Sequence, residues 1–177
     1  HMVTNYNTCN FYYEKGVKFG FLANEITLEE ILEIKKRTNM KLMVECFGYP
    51  IMSHSRRMLL TNYFKSIDKE KEDRVYHLEN MNEDYLLKES KDGASILYGK
   101  LINGVKPLFD LVENNIDYAV LDMQEVEKEI GKKVLSTYND IIKNHSSITI
   151  KEKSSIIDEM NDLIGDNTNF FYKKTIY

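Results

Sequence analysis

The chain has 177 residues, of which 42% are hydrophobic, and its formal net charge at neutral pH is −4. This length and apolar content suit one hydrophobic core, so we predict a single α/β domain over residues 3–177. The acidic balance argues against a protein that coats nucleic acid without sequence preference, because such proteins are strongly basic. His1 and Met2 are typical of a tag remnant, and we leave them out of the reasoning.

Apolar runs alternate with helical periodicity along the chain, which favours a βα architecture with a largely parallel sheet. Residues 8–14 form either a short helix or an irregular entry. Beyond them we predict, in chain order, a strand over 17–23, a helix over 26–37, a strand over 42–47 and a helix over 57–65. Thr27 and Glu30 have the spacing of a capping box at the start of the 26–37 helix.

Three short alternating segments come next in the chain. We predict strands over 74–78, 85–89 and 96–98, as an excursion from the main sheet, with a turn at Asp92 and Gly93. A helix over 105–113, a strand over 118–122 and helices over 126–143 and 156–164 complete the pattern. The residues from 169 onward are predicted to be extended.

The stretch from Val44 to Tyr63 carries the strongest functional signal. Its strand stops at Gly48 and Pro50, and we predict a polar, doubly basic loop that leads into the 57–65 helix. In parallel α/β folds the loops after the carboxyl ends of strands carry the chemistry. Exposed backbone amides at the helix start, together with two guanidinium groups, would suit an anion.

Within this stretch, Ser55 to Tyr63 read Ser-Arg-Arg-Met-Leu-Leu-Thr-Asn-Tyr. This run resembles the signature of peptidase family U32, the collagenase-like proteins. Three further stretches resemble the family in the same order, namely residues 24–31, 91–97 and 170–177. The ending is similar to that of the short Gram-positive members.

The resemblance implies a (β/α) barrel about twice as long as this chain. The chain would then be the carboxyl-terminal half of a TIM-like barrel, a partial (β/α) barrel with a short β excursion. Because half a barrel leaves sheet edges open, we expect a homodimer, a swapped assembly or a pairing with a U32-family paralogue.

Many family members carry cysteines around the signature that hold an iron–sulfur cluster. The corresponding positions here are Ile51 and Met58, and Cys9 and Cys46 alone cannot supply four thiolates. We therefore predict no iron–sulfur cluster in this chain and, because the histidines lie far apart in sequence, no metal site. Two cysteines also favour a reducing cytoplasm, and no apolar segment is long enough to cross a bilayer.

Four residues are predicted to be catalytic, namely Glu25, His54, Arg56 and Arg57. The two arginines could grip phosphate or carboxylate through paired donors, or one of them could cap a rim carboxylate. His54 could transfer protons near neutral pH, although a lone histidine is commonly a surface residue. Glu25 fits the family pattern, whereas Glu45 occupies a place that is usually apolar and would commonly be a satisfied buried carboxylate.

Four further residues are predicted to bind substrate, namely Ser53, Ser55, Asn62 and Tyr63. Tyr63 could stack on a base, although aromatic residues at this spacing commonly belong to the core. The two serines lack a Gly-x-Ser-x-Gly elbow and a matching Asp–His arrangement, so a hydrolytic triad is disfavoured.

Three functions are compatible with these observations. The resemblance to the short members implies hydroxylation of the wobble uridine of tRNA to 5-hydroxyuridine, with prephenate as a possible source of the hydroxyl group. The family name implies instead a collagenase-like peptidase, a hydrolase. A third possibility is a non-catalytic partner subunit, in which case this chain would be inactive alone.

Overall fold

The computed structural model describes residues 3–80, 83–165, 167–168 and 170–172, and it shows a mixed α/β protein. The chain divides into two compact units. The major unit comprises His1–Gly48 and Ile102–Tyr177, and the inserted unit comprises Tyr49–Leu101. That both units belong to one domain, and that this domain is half of a barrel, stay predictions.

The predicted helices and strands appear in the predicted order, and three strands that were not predicted are added at residues 51–55, 101–103 and 167–168. The helices are α1 (Tyr6–Glu14), α2 (Leu28–Arg37), α3 (Leu59–Ser66), α4 (Val105–Glu113), α5 (Lys128–Asn144) and α6 (Ile150–Ile164). The strands are β1 (Phe19–Phe21), β2 (Lys41–Gly48), β3 (Ile51–Ser55), β4 (Tyr76–Asn80), β5 (Glu83–Ser90), β6 (Gly93–Tyr98), β7 (Leu101–Asn103), β8 (Tyr118–Leu121) and β9 (Asn167–Thr168). Short 3-10 helices cover His145–Ser147 and Phe170–Tyr172.

Strand β2 organises the sheet of the major unit. It pairs in parallel with β1 and with β8, and its last residues pair with β7 in the antiparallel direction. Leu42, Val44 and Cys46 alternate along β2 and are at most 3% exposed. This burial explains the apolar run in the sequence, since a strand covered by helices loses contact with water.

Helices α2, α4 and α5 contribute further buried residues to that core. The capping box predicted for α2 is confirmed, because Thr27 Oγ1 accepts a hydrogen bond from the Glu30 N–H and the Glu30 side chain accepts from the Thr27 N–H. From α5, the buried Tyr138 donates its hydroxyl to the Cys46 carbonyl at 3.0 Å. This bond satisfies a buried hydroxyl and ties the longest helix to β2.

The inserted unit is a four-stranded antiparallel sheet in the order β3-β6-β5-β4, with α3. The three predicted short strands are confirmed, and so is the turn that joins β5 to β6. Gly93 lies after this turn at a φ of 126°. A Cβ atom there would lie 2.1 Å from the Ser55 carbonyl oxygen, so only glycine lets the hairpin approach β3.

Three local predictions were wrong. Residues 51–55 form strand β3 and not a loop, because their backbone pairs with β6. Helix α6 begins at Ile150, six residues before the predicted start at Ile156, because Thr149 and Glu152 form a second capping box. Phe170–Tyr172 is a 3-10 helix and not extended, and residues 173–177 lie outside the described part of the chain.

Candidate functional site

Polar side chains lie at the carboxyl ends of three neighbouring parallel strands in the major unit. Asn24 comes shortly after β1, Glu45 lies in the second half of β2, and Asp122 follows β8 directly. Because β1 and β8 both run parallel to β2, the three ends meet at one edge of the sheet. Open parallel sheets bind their ligands at this edge.

Glu45 is half-buried and contacts Asn24. Its Oε2 accepts a hydrogen bond from Asn24 Nδ2 at 2.5 Å. Burial raises the pKa of Glu45 and the negative charge of Asp122 adds to the rise, while the bond from Asn24 opposes it. Raised carboxyl pKa values at strand ends are common where a protein transfers protons or binds a polar ligand.

A small pocket opens beside this carboxylate. Asn24 and Glu45 supply its polar side chains, and its other walls come from Leu22, Ala23, Ile26, Ile31, Val44, Ile102 and Phe171. Among the described residues that line it there is no cation. The pocket therefore combines an apolar interior with one carboxylate and one amide.

Gly48 allows the strand ends to come together. It lies at a φ of 138°, and a Cβ atom there would be 2.9 Å from the Asp122 carbonyl oxygen. The Asp122 N–H in turn donates to the Phe47 carbonyl at 2.7 Å. A side chain at position 48 would push the end of β8 away from β2.

Glu25, the carboxylate favoured by the sequence, lies in the turn between β1 and α2. Its side chain is exposed, and it does not line the pocket beside Glu45. A catalytic role for Glu25 stays a prediction, and the carboxylate that lines the pocket is that of Glu45.

The predicted residues of the inserted unit lie along residues 53–63, which we call the signature segment. Ser53 and His54 are exposed on β3, and Ser55 is half-buried at its end. His54 Nδ1 lies 3.0 Å from Ser95 Oγ, its direct partner across the antiparallel pair with β6. The histidine therefore has a partner that the sequence did not reveal.

Arg56 and Arg57 follow β3, and both are exposed. The Arg57 N–H donates to Ser55 Oγ at 3.2 Å, which fixes the backbone of the turn. Within the described residues neither guanidinium group forms a salt bridge. Both groups are available to an anion from outside the chain.

Asn62 and Tyr63 lie on the exposed face of α3. Tyr63 is 58% exposed, so it does not belong to the core, and its ring packs edge-on against Phe64 at 5.4 Å between centroids. An exposed aromatic ring held by a neighbouring ring is a suitable surface for stacking.

Glu89 from β5 occupies the amino end of α3. Its side chain is 1% exposed and accepts hydrogen bonds from the Leu60 N–H at 2.9 Å and the Thr61 N–H at 3.1 Å. The expectation that amides at this helix start would bind an external anion is therefore wrong, because an internal carboxylate already takes them. An anion at the signature segment would therefore have to bind the arginine side chains.

With this geometry known, comparison with known proteins decides the family. The model of peptidase family U32 matches residues 1–175. The chain belongs to peptidase family U32. The resemblance seen at the signature segment is thus confirmed over nearly the whole chain.

One U32 relative is informative about function. The chain is 28% identical over 191 aligned positions to a protein of Bacillus subtilis (strain 168) named tRNA hydroxylation protein P2. The alignment covers 98% of this chain and 61% of that protein. The chain thus spans less than two thirds of the relative's length. No solved structure matches the chain significantly.

The two thiols of this U32 chain are structural in character. Cys9 and Cys46 are both free and buried, and burial raises the pKa of Cys46 to about 12. Among the described residues no three His, Cys, Asp or Glu side chains are grouped to hold a metal ion. In the same part of the chain, no helix is long and apolar enough to span a bilayer.

Sequence reasoning missed three residues of these sites. Asn24 and Asp122 were read as parts of a motif and a strand, although a polar residue directly after an apolar strand is itself a signal. Glu89 gave no local signal, because its partners lie 28 and 29 residues away in the sequence.

Proposed function

We propose that the full-length protein takes part in hydroxylating the wobble uridine of tRNA to 5-hydroxyuridine. The observation that carries this proposal is the similarity, over 98% of the chain, to a protein named tRNA hydroxylation protein P2. Because the chain spans 61% of that relative, the activity is proposed for the whole protein and not for this part alone.

The inserted unit supports RNA binding by its exposed cations and aromatic ring. Arg56 and Arg57 would contact backbone phosphates, since guanidinium groups match phosphate geometry. Tyr63 would stack on an unpaired base. A net charge of −4 is compatible with this, because a local basic segment can bind RNA within an acidic protein.

The major unit supports chemistry at an uncharged ring. The pocket beside Glu45 is mostly apolar and has one carboxylate and one amide in its wall. Prephenate, if it supplies the hydroxyl group, is an anion and would need cations such as Arg56 and Arg57.

We further propose that the protein acts as a homodimer or with a U32-family paralogue.

A collagenase-like peptidase is the second candidate, and the contact between His54 and Ser95 is the observation that favours it. This contact joins directly paired residues of two antiparallel strands, which brings such side chains together in any sheet. Among the hydrogen bonds of the described residues, none joins His54 to a buried carboxylate. The arrangement therefore lacks the acidic member of a Ser-His-Asp triad. We therefore rank peptidase activity lower.

Nucleoside mass spectrometry of tRNA from cells that lack the full-length gene tests the proposal. We expect 5-hydroxyuridine and its derivatives to fall and to return when the wild-type gene is restored. Unchanged nucleosides in a strain that also lacks every U32 paralogue would contradict tRNA hydroxylation. Gelatin cleavage by the purified protein, abolished by Ser95→Ala, would instead establish the peptidase.

A further inference from the structure

The pocket beside Glu45 has a specific pattern of hydrogen-bonding groups. One N–H of the Asn24 side-chain amide is donated to Glu45 Oε2. Within the described residues, the second N–H of Asn24 and the Oε1 atom of Glu45 have no hydrogen-bond partner from the chain. The remaining donor of Asn24 and the remaining acceptor of Glu45 thus belong to two side chains that are already held together.

The surroundings of Asn24 and Glu45 disfavour negatively charged ligands. Asp122 adds a second negative charge close enough to affect Glu45. The side chains that complete the pocket wall are apolar, and they include the buried Ile26 and Phe171, at 4% and 6% exposure. An anion entering here would meet like charge without a counter-ion, which is costly at a poorly solvated site.

The same surroundings favour a neutral, planar ring. Apolar walls accept a neutral group at a lower desolvation cost than an anion, and an under-solvated carboxylate gains much from a new N–H donor. The edge complementary to Asn24 and Glu45 is an N–H beside a C=O, and the imide of a uracil ring offers this pair. Because the pocket is small, only this edge of a ring would enter it.

We propose that Asn24 and Glu45 form the subsite for the imide edge of a pyrimidine, with Glu45 accepting the ring N–H and Asn24 donating to the adjacent carbonyl. An anionic co-substrate is excluded from this subsite. The inference rests on the proposed function, since it names the part of the protein that receives the uridine. Both residues contact the substrate in this arrangement.

The side-chain amide of Asn24 is itself the probe for a direct test. In ¹⁵N-labelled protein, we expect added uridine to shift the Asn24 side-chain amide resonances, and added prephenate to leave them unchanged. Glu45→Gln should weaken uridine binding by about tenfold or more, as expected for loss of a hydrogen bond to a charged acceptor. Glu29→Gln, which changes an exposed carboxylate of α2 outside the pocket, is the matched control and should bind uridine like wild type.

Two results would overturn the inference. One is no shift of the Asn24 resonances at millimolar uridine in a protein whose other resonances are intact. The other is equal binding of uridine by wild type and by Glu45→Gln. Backbone amide spectra of each variant show whether it is folded.

Complementation in cells separates this inference from the proposed function. If the wild-type gene restores 5-hydroxyuridine and Glu45→Gln restores it equally, the subsite is wrong while tRNA hydroxylation stands. If the wild-type gene restores nothing, the proposed function is wrong, and the uridine titration still decides the subsite independently.

Discussion

The buried carboxylate of Glu89 should determine whether the signature segment is held in place. Glu89→Ala removes the acceptor of two backbone N–H groups and of the Thr61 hydroxyl, which lies 2.5 Å from Glu89 Oε1. Each buried donor left without a partner costs about 1–3 kcal/mol. We therefore expect the free energy of unfolding of the inserted unit to fall by about 3–5 kcal/mol.

Glu89→Gln should cost less, about 1–2 kcal/mol, because the amide oxygen keeps one acceptor for the start of α3. The ion pair with Lys71 adds little in either case, since its N···O distance is 3.9 Å and Lys71 is partly exposed. Glu79→Ala, which removes an exposed carboxylate from neighbouring β4, is the matched control.

Urea unfolding followed by circular dichroism gives the free energies, and the chain has no tryptophan to follow instead. Hydrogen exchange at the amides of Leu60 and Thr61 reports the local effect, and both should exchange faster in Glu89→Ala. The reasoning would be refuted if Glu89→Ala were as stable as Glu79→Ala and kept wild-type protection at these amides.

The remaining predictions concern the arginines, a glycine and a cap. The double variant Arg56→Ala/Arg57→Ala should weaken binding of the full-length protein to bulk tRNA and reduce the slope of log affinity against log salt by about 1–2. Filter binding at several salt concentrations measures this slope, and an unchanged slope would show that neither arginine contacts phosphate. Gly93→Ala should destabilise the inserted unit in thermal unfolding, because a Cβ atom would lie 2.1 Å from the Ser55 carbonyl oxygen; a wild-type melting temperature would contradict the close approach. Thr149→Ala should lower stability by about 1 kcal/mol by removing the α6 cap, and no loss in urea unfolding would mean that α6 starts elsewhere.

Sequence alone predicted the elements whose side chains follow a clear period. The apolar run of β2 and the capping box of α2 are local signals, and both are confirmed. The start of α6 also has a local signal, the capping box of Thr149 and Glu152. This start was not predicted, because the first turn of the helix has only a weak apolar periodicity. Ile150, the first residue of α6, is apolar, but it is 91% exposed and does not belong to the core.

Strand β3 and the candidate sites could not be predicted in the same way. Ser53 and His54 are polar, and they form a strand because their backbone pairs with Ile96 and Ser95 of β6, which lie more than forty residues further along the chain. Burial of Glu45 depends on Asn24 and on the apolar walls of the pocket, which come from four separate parts of the chain. Long-range contacts of this kind leave no periodic trace in a single sequence.

The most direct measurement of the central claim is the 5-hydroxyuridine content of tRNA in a deletion strain that expresses Arg56→Ala/Arg57→Ala at the level of the restored wild type. We predict that the wild-type gene restores the modified nucleoside and that the double variant restores much less of it. Full restoration by the double variant would contradict the claim that the signature segment of this U32 protein acts in tRNA hydroxylation.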